Sequence, residues 1–317
     1  MNKKEREKDV PKKVIFMGTP DFAVNALQEL YNHFEVLLVI TAPDKERSRR
    51  KMMPTPVKEA AFALKLPVLT PDNVNDIEVI EYIKKLQPDF LIEVAYGQLI
   101  KEDLLNLLPN RFLNIHPSLL PEYRGAAPIE QAILDGKKET GVSIMIVDKG
   151  LDNGDVLYST MMSIDNEDDI YTLSDKLAKQ GAKDIIYVIK NYDILYAQRK
   201  KQGKIFTYAK KITKEMGHVN WQSSSDDINN LIRALKVRPG VYTFYENIRI
   251  KIFNGISIYE NSDKKPGTIL NISSEGIDVS CGKGIFRVTE LQFPNKKKMS
   301  VFDFVKGNTL EKGIIFE

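Results

Sequence analysis

Four short apolar runs, at residues 14–17, 36–40, 90–94 and 112–115, divide the first half of the chain. Each is too short for a helix and rich in Val, Ile, Leu and Phe, as expected of strands buried in a sheet. Between them the apolar positions return at helical spacing: Phe22, Ala26, Leu27 and Leu30, then residues 57–64, then 77–86. Strand alternating with helix predicts an α/β fold, a doubly wound, mostly parallel sheet of the Rossmann-like kind with helices on both faces. In such a sheet the loops leaving the carboxyl ends of the strands gather along one edge, where ligands bind. Residues 140–148 alternate well enough for a further strand. A long helix with Leu173, Leu177, Ile185 and Ile189 on its inner face closes this part.

The pattern then changes. Residues 196–214 carry Arg199, Lys200, Lys201, Lys204, Lys210, Lys211 and Lys214 with no acid among them, and read as a basic linker. Ile228, Leu231, Ile232 and Leu235 mark a helix beyond it. Runs at 241–245, 248–253, 267–270, 276–279 and 285–291 then read as short strands. Five or so such strands suit a C-terminal OB-like β-barrel, a common nucleic-acid platform. Since 317 residues exceed one ordinary core, the expected division is a charged tail at 1–12, an α/β domain at 13–195, the linker at 196–214 and the barrel at 215–317.

Composition narrows the class. Hydrophobic content of 43% is ordinary for a globular chain, and a net charge of +3 leaves only local charge informative. The single cysteine, Cys281, rules out an internal disulfide framework and a Cys-rich zinc site, and fits a reducing compartment. Three widely separated histidines argue against a His-based metal site, so no metal is expected. Residues 1–13 are charged and lack the apolar run of a signal peptide, and no run is long enough to span a membrane. The protein is expected to be cytoplasmic.

Candidate chemistry gathers where the strand at 112–115 ends. Asn114 and His116 are two apart on extended backbone, so their side chains point the same way. Both donate hydrogen bonds, and together they can hold the oxyanion formed when a nucleophile attacks a carbonyl. Pro117 and Pro121 keep the following loop from becoming regular structure, and Pro128 suits the first turn of a helix. Tyr96 and Gly97, after the strand at 90–94, should face the same crevice, where a glycine lets a flat ligand approach the backbone. Gly18 opens a strand–turn–helix unit but lacks the further glycines of a dinucleotide fingerprint. In Gly150-Leu151-Asp152-Asn153-Gly154-Asp155 the glycines make a tight loop that could carry an acid to His116, orient the ring and later accept a proton. The bare segment does not choose between Asp152 and Asp155, and it suits a surface turn equally well. Residues 44–54, with Lys45, Arg47, Arg49, Arg50 and Lys51, have no apolar period and exceed an ordinary connection.

Asn114-Ile115-His116-Pro117-Ser118-Leu119-Leu120-Pro121, Tyr123-Arg124-Gly125-Ala126-Ala127-Pro128-Ile129 and Gly150-Leu151-Asp152-Asn153-Gly154-Asp155 resemble the folate-dependent formyltransferases. Gly18-Thr19-Pro20-Asp21-Phe22-Ala23 and Val94-Ala95-Tyr96-Gly97 narrow the resemblance to members that act on methionyl-tRNA, from about residue 12 to the C-terminus. The resemblance implies direct transfer of a formyl group from 10-formyltetrahydrofolate to the amino group of methionyl initiator tRNA; a monomer is expected. It implies Asn114, His116 and Asp152 as the catalytic set, and Ser118, Leu119, Leu120 and Pro121 beside the folate with Tyr96 and Gly97. It places Lys45, Arg47, Arg49, Arg50 and Lys51 at the acceptor stem. Lys200, Lys201, Lys210 and Lys211 are expected to meet phosphates. A sugar-nucleotide formyltransferase or a formyltetrahydrofolate hydrolase would keep the same catalytic set. A non-catalytic RNA-binding protein could keep the scaffold. The basic segments and the intact set favour the tRNA enzyme.

Overall fold

The computed structural model describes residues 11–47, 51–308 and 310–317, with the backbone alone at 45–47 and 51. The chain divides into two units, Met1–Arg124 with Thr140–Met162 and Ser174–Tyr208, and Gly125–Glu139 with Ser163–Leu173 and Ala209–Glu317.

The expected strand–helix alternation is present. β1 (Lys13–Gly18), α1 (Val24–His33) and β2 (Glu35–Ile40) lead to a short hairpin of β3 (Lys45–Arg47) and β4 (Lys51–Met53). Next come α2 (Pro56–Ala63), β5 (Val68–Leu69), α3 (Ile77–Leu86), β6 (Phe90–Val94), α4 (Glu102–Leu105) and β7 (Phe112–His116). β8 (Arg124–Gly125), α5 (Pro128–Leu134), β9 (Glu139–Ile146), β10 (Val156–Ser163), α6 (Ile170–Lys190), α7 (Tyr192–Ala197) and β11 (Tyr208–Ala209) follow. The main sheet has the order β10-β9-β7-β6-β1-β2-β5. It is parallel from β7 through β6, β1 and β2 to β5, and β9 joins β7 antiparallel. Val14, Ile15, Phe16 and Met17 are fully buried, which explains why their run is apolar without alternation. β1, β2 and β5 build one way and β6 starts the other, so the order reverses between β1 and β6. Ligands bind in open α/β sheets outside such a reversal. Across it the Thr19 hydroxyl donates to the Tyr96 carbonyl at 2.9 Å. Within the 44–54 stretch, Lys45, Glu46 and Arg47 pair antiparallel with Met53, Met52 and Lys51.

In the second unit, Ser224 and Asp227 form a capping box that starts α8 (Ser225–Leu235). β12 (Val241–Tyr245), β13 (Ile248–Ile258), β14 (Ile269–Ser273), β15 (Gly276–Ser280) and β16 (Ile285–Gln292) pair antiparallel in the order β12-β13-β16-β15-β14. β17 (Met299–Ser300) adds to β16, and α9 (Val301–Phe304) follows. The last residues bond to both outer strands. Phe244 and Glu317 exchange backbone hydrogen bonds, while Ile269 and Gly267 bond to residues 313–316. That closure completes the OB-like barrel. β13 passes its expected end at 253 because the register shifts at Asn254 and Gly255, where a Cβ would lie 2.3 Å from the Phe286 ring. An Asn-Gly pair that reads as a turn is thus a bulge. α5 and the start of α6 cluster with this unit too, with Arg233 donating to the carbonyls of Asp165, Asn166 and Asp168. Among the described residues no helix is long and apolar enough to cross a membrane.

Candidate active site

Three connections of the first unit converge beyond the carboxyl ends of β6 and β7, and each contains a non-glycine residue in the left-handed region. These are Ala95 (φ +47°), Tyr123 (φ +57°) and Asp152 (φ +49°). Such backbone costs an L-residue roughly 1–2 kcal/mol, so surrounding contacts must hold it, and it concentrates at functional sites.

Asn114 and His116 occupy alternate positions of β7, opposite Met145 and Ser143 of β9. Asn114 is half-buried, and among the described residues no hydrogen bond engages its amide, which leaves two donors open. His116 is 4% exposed, and both its ring nitrogens face acceptors. Nε2–H donates to the Tyr123 carbonyl at 3.0 Å, and Nδ1 lies 3.8 Å from Oδ1 of Asp152. Asp155 turns instead to Arg199, whose Nε donates to its Oδ2 at 3.0 Å. The ambiguity left by the bare segment is therefore resolved in space: Asp152 is brought to the imidazole and Asp155 is not.

The loop that carries Asp152 needs Gly154. A Cβ there would lie 1.9 Å from the Ile146 carbonyl oxygen, an impossible approach. The 117–121 loop is held by serines. Ser118, fully buried, donates from its hydroxyl to the Glu122 carbonyl at 2.6 Å. Ser143 on β9 donates to the Ser118 carbonyl at 2.8 Å and accepts from the Leu120 N–H at 3.1 Å. Leu119 lies over Gly141, and Leu119, Leu120 and Pro121 remain half-buried. Ser118 is thus committed to holding the loop, while the leucines and Pro121 present its partly open apolar surface.

Tyr96 and Gly97 separate. Tyr96 is 2% exposed, packs in the core with Ile15, Met17, Ile83 and Leu104, and among the described residues its hydroxyl has no partner. Gly97 has φ +91° with nothing within 4 Å of where a Cβ would stand. Of the pair, Gly97 offers its backbone to the crevice.

Glu93 was not among the residues expected here, although one carboxylate inside the run Phe-Leu-Ile-Glu-Val was a legible signal. It stands on β6 in register with Asn114 of β7. Burial first, and the negative charge of Asp152 second, push its carboxyl up to about 7. Burial, and then Glu93, push the Tyr96 hydroxyl up to about 12.

Of the basic candidates, Lys200, Lys201, Lys210 and Lys211 are exposed. Arg49 and Arg50 lie outside the described residues, and Lys45, Arg47 and Lys51 are placed only by their backbone on the β3–β4 hairpin. Among the described residues no cluster of three His, Cys, Asp or Glu is placed to hold a metal ion. Cys281 is buried, which pushes its thiol up to about 12 and makes it unreactive.

Two family descriptions match the chain: formyl transferase over residues 12–189, and formyl transferase, C-terminal domain, over 211–309. The methionyl-tRNA formyltransferase of Finegoldia magna is 44% identical over 306 residues, covering 96% of this chain and 99% of that protein. The enzyme of the same name from Caldanaerobacter subterraneus is 40% identical, covering 96% and 100%. Among solved structures, the sugar 3N-formyl transferase WlaRD, determined with dTDP and 5-N-formyl-THF, superposes with a TM-score of 0.64 at 24% identity, covering 91% of this chain and 99% of that one.

Proposed function

This chain belongs to the formyl transferase family, with methionyl-tRNA formyltransferases as near full-length relatives, and from that premise we propose that it formylates the amino group of methionyl initiator tRNA. The observation that carries the reading at the site is His116, clamped between the Asp152 carboxylate and the Tyr123 carbonyl, two residues from the open amide of Asn114.

10-Formyltetrahydrofolate, when bound, supplies the formyl group. The crevice fits such a flat donor: Gly97 presents open backbone, and Leu119, Leu120 and Pro121 present a partly exposed apolar edge. The Asn114 amide donates to the formyl oxygen as the amine attacks, and its donors are most effective in a site closed to water. His116 adds a second donor from Nε2, which must then share or leave the Tyr123 carbonyl. Asp152 holds the ring from its other side and balances charge that develops on it. No nucleophilic side chain is needed: the incoming amine bonds to the formyl carbon, and the tetrahedral adduct breaks its bond to the donor nitrogen. The proton shed by the amine passes by way of water or Asp152 to that nitrogen, which leaves as tetrahydrofolate. Within this reading residues 13–195 carry the chemistry. Residues 196–214 and the barrel at 215–317 meet tRNA, and Lys200, Lys201, Lys210, Lys211 and the basic hairpin supply phosphate contacts.

The test is to incubate the protein with 10-formyltetrahydrofolate and either charged initiator tRNA or an amino-sugar nucleotide. N-formylmethionine on the tRNA and an unchanged sugar nucleotide are expected. Formylation of the sugar, or hydrolysis of the donor without transfer, would reject the reading.

A further inference from the structure

The segment following α7 was expected to be a linker, yet residues 199–207 are laced onto both loops of the candidate site, within the first unit. Val156 and Lys200 exchange backbone hydrogen bonds at 2.8 Å, and Arg199 pairs with Asp155 at 3.0 Å. Farther along, Thr207 accepts on its hydroxyl from the Tyr123 N–H at 2.8 Å and on its carbonyl from the Arg124 N–H at 3.0 Å. Between these attachments stands Gln202. Its Nε2 donates to the carbonyls of Asp152 at 2.9 Å and Gly154 at 2.8 Å. Its Oε1 accepts from Nε of Arg124 at 2.8 Å. One amide therefore ties the Asp152 loop to the loop whose Tyr123 carbonyl holds His116. Arg124 is itself buried against the Phe206 ring, so the node is anchored on a fixed group.

Asp152 needs such an anchor. It is buried in left-handed backbone just after the exposed Leu151, a conformation that surrounding contacts must hold. We propose that Gln202 is a positioning residue for Asp152: its amide holds the Asp152 and Gly154 carbonyls so that the carboxylate stays turned to His116. Gln202 touches neither ring nitrogen of His116, so it acts through Asp152. The inference rests on the proposed role of Asp152 in formyl transfer.

The experiment compares wild type, Gln202→Glu, Asp152→Ala and the double variant in formylation of charged initiator tRNA with 10-formyltetrahydrofolate. Glutamate has the same shape and can still accept from Arg124, but when ionised it donates to neither carbonyl. Gln202→Glu should lower kcat roughly ten- to a hundredfold, the range for losing two such hydrogen bonds, with KM for tRNA changed less than about twofold. In the Asp152→Ala background the same change should cost less than about twofold, because nothing remains to be positioned. Amide hydrogen exchange provides the second readout. Residues 150–156 should exchange faster in Gln202→Glu, while the central strands β1 and β6 should keep their protection. Normal turnover by Asp152→Ala would remove the role of Asp152, and the inference with it. A slow Asp152→Ala beside an unimpaired Gln202→Glu would overturn only the inference. So would a Gln202→Glu penalty equally large with and without Asp152, or unchanged exchange at 150–156.

Discussion

Glu93 shows what one half-buried, largely desolvated carboxylate contributes. Its raised value near 7 means that the folded protein binds its proton more tightly than the unfolded chain, whose glutamate titrates near 4.5. The stabilisation from keeping it protonated is fully present below about pH 4.5 and is lost as pH rises through 7. Glu93→Gln carries no such dependence. It should be more stable than wild type at pH 8, by up to about 3 kcal/mol, with the advantage shrinking toward pH 5. Urea unfolding followed by circular dichroism at the two pH values measures this, and an equal difference at both would show that the carboxyl does not titrate as described. At this scale much of the site was legible. Asn114 and His116 occupy alternate positions of one strand, as their spacing requires, and the Gly97 position is open. What escaped was direction. Tyr96 turns into the core, because an aromatic ring packs on Ile15 and Met17, and Ser118 spends its hydroxyl on its own loop. Neither orientation follows from composition.

Among the elements, the hairpin and the strap differ most from their sequence reading. The β3–β4 strands form because antiparallel pairing satisfies a backbone that has no apolar face to bury. The strap at 199–207 has no period at all. Its order comes from hydrogen bonds to loops some 50 to 80 residues earlier in the chain, which no local pattern records. The side chains of its lysines are exposed and open to a phosphate backbone. Changing Lys200 and Lys201 together to Gln should weaken tRNA binding at low salt and flatten the log–log salt dependence by roughly 0.7–0.9 for each phosphate no longer neutralised. Affinities over a salt series measure that slope, and parallel lines for variant and wild type would show that these lysines meet no phosphate. Gly154→Ala should act differently, because its methyl would meet the Ile146 carbonyl. It should displace Asp152 and reduce kcat at every salt concentration, which initial rates across the same series would reveal.

The chain comprises a mostly parallel sheet, whose strand order reverses between β1 and β6, and a barrel closed by its last residues. The two halves were readable because burial on both faces of β1 and on one face of strands such as β12 leaves different periods. The closure was not, since residues 313–317 are too short and mixed to announce a strand. Phe316 is 3% exposed and packs against Trp221 and Tyr245, so Phe316→Ala should destabilise the barrel by about 3–5 kcal/mol. Trp221 is the protein's single tryptophan, and its fluorescence during urea unfolding reads that loss directly; an unchanged midpoint would mean that the closure carries no stability. The central claim, that Asn114, His116 and Asp152 act as one device on a formyl group delivered to methionyl-tRNA, rests on the pair His116–Asp152. Turnover and tRNA affinity of His116→Ala, Asp152→Ala and the double variant test it most directly. Each single change should lower kcat roughly 10²–10³-fold with tRNA affinity nearly unchanged, and the double should be little slower than His116→Ala alone. Full turnover by His116→Ala, or a double variant slowed by the product of the two single losses, would contradict it.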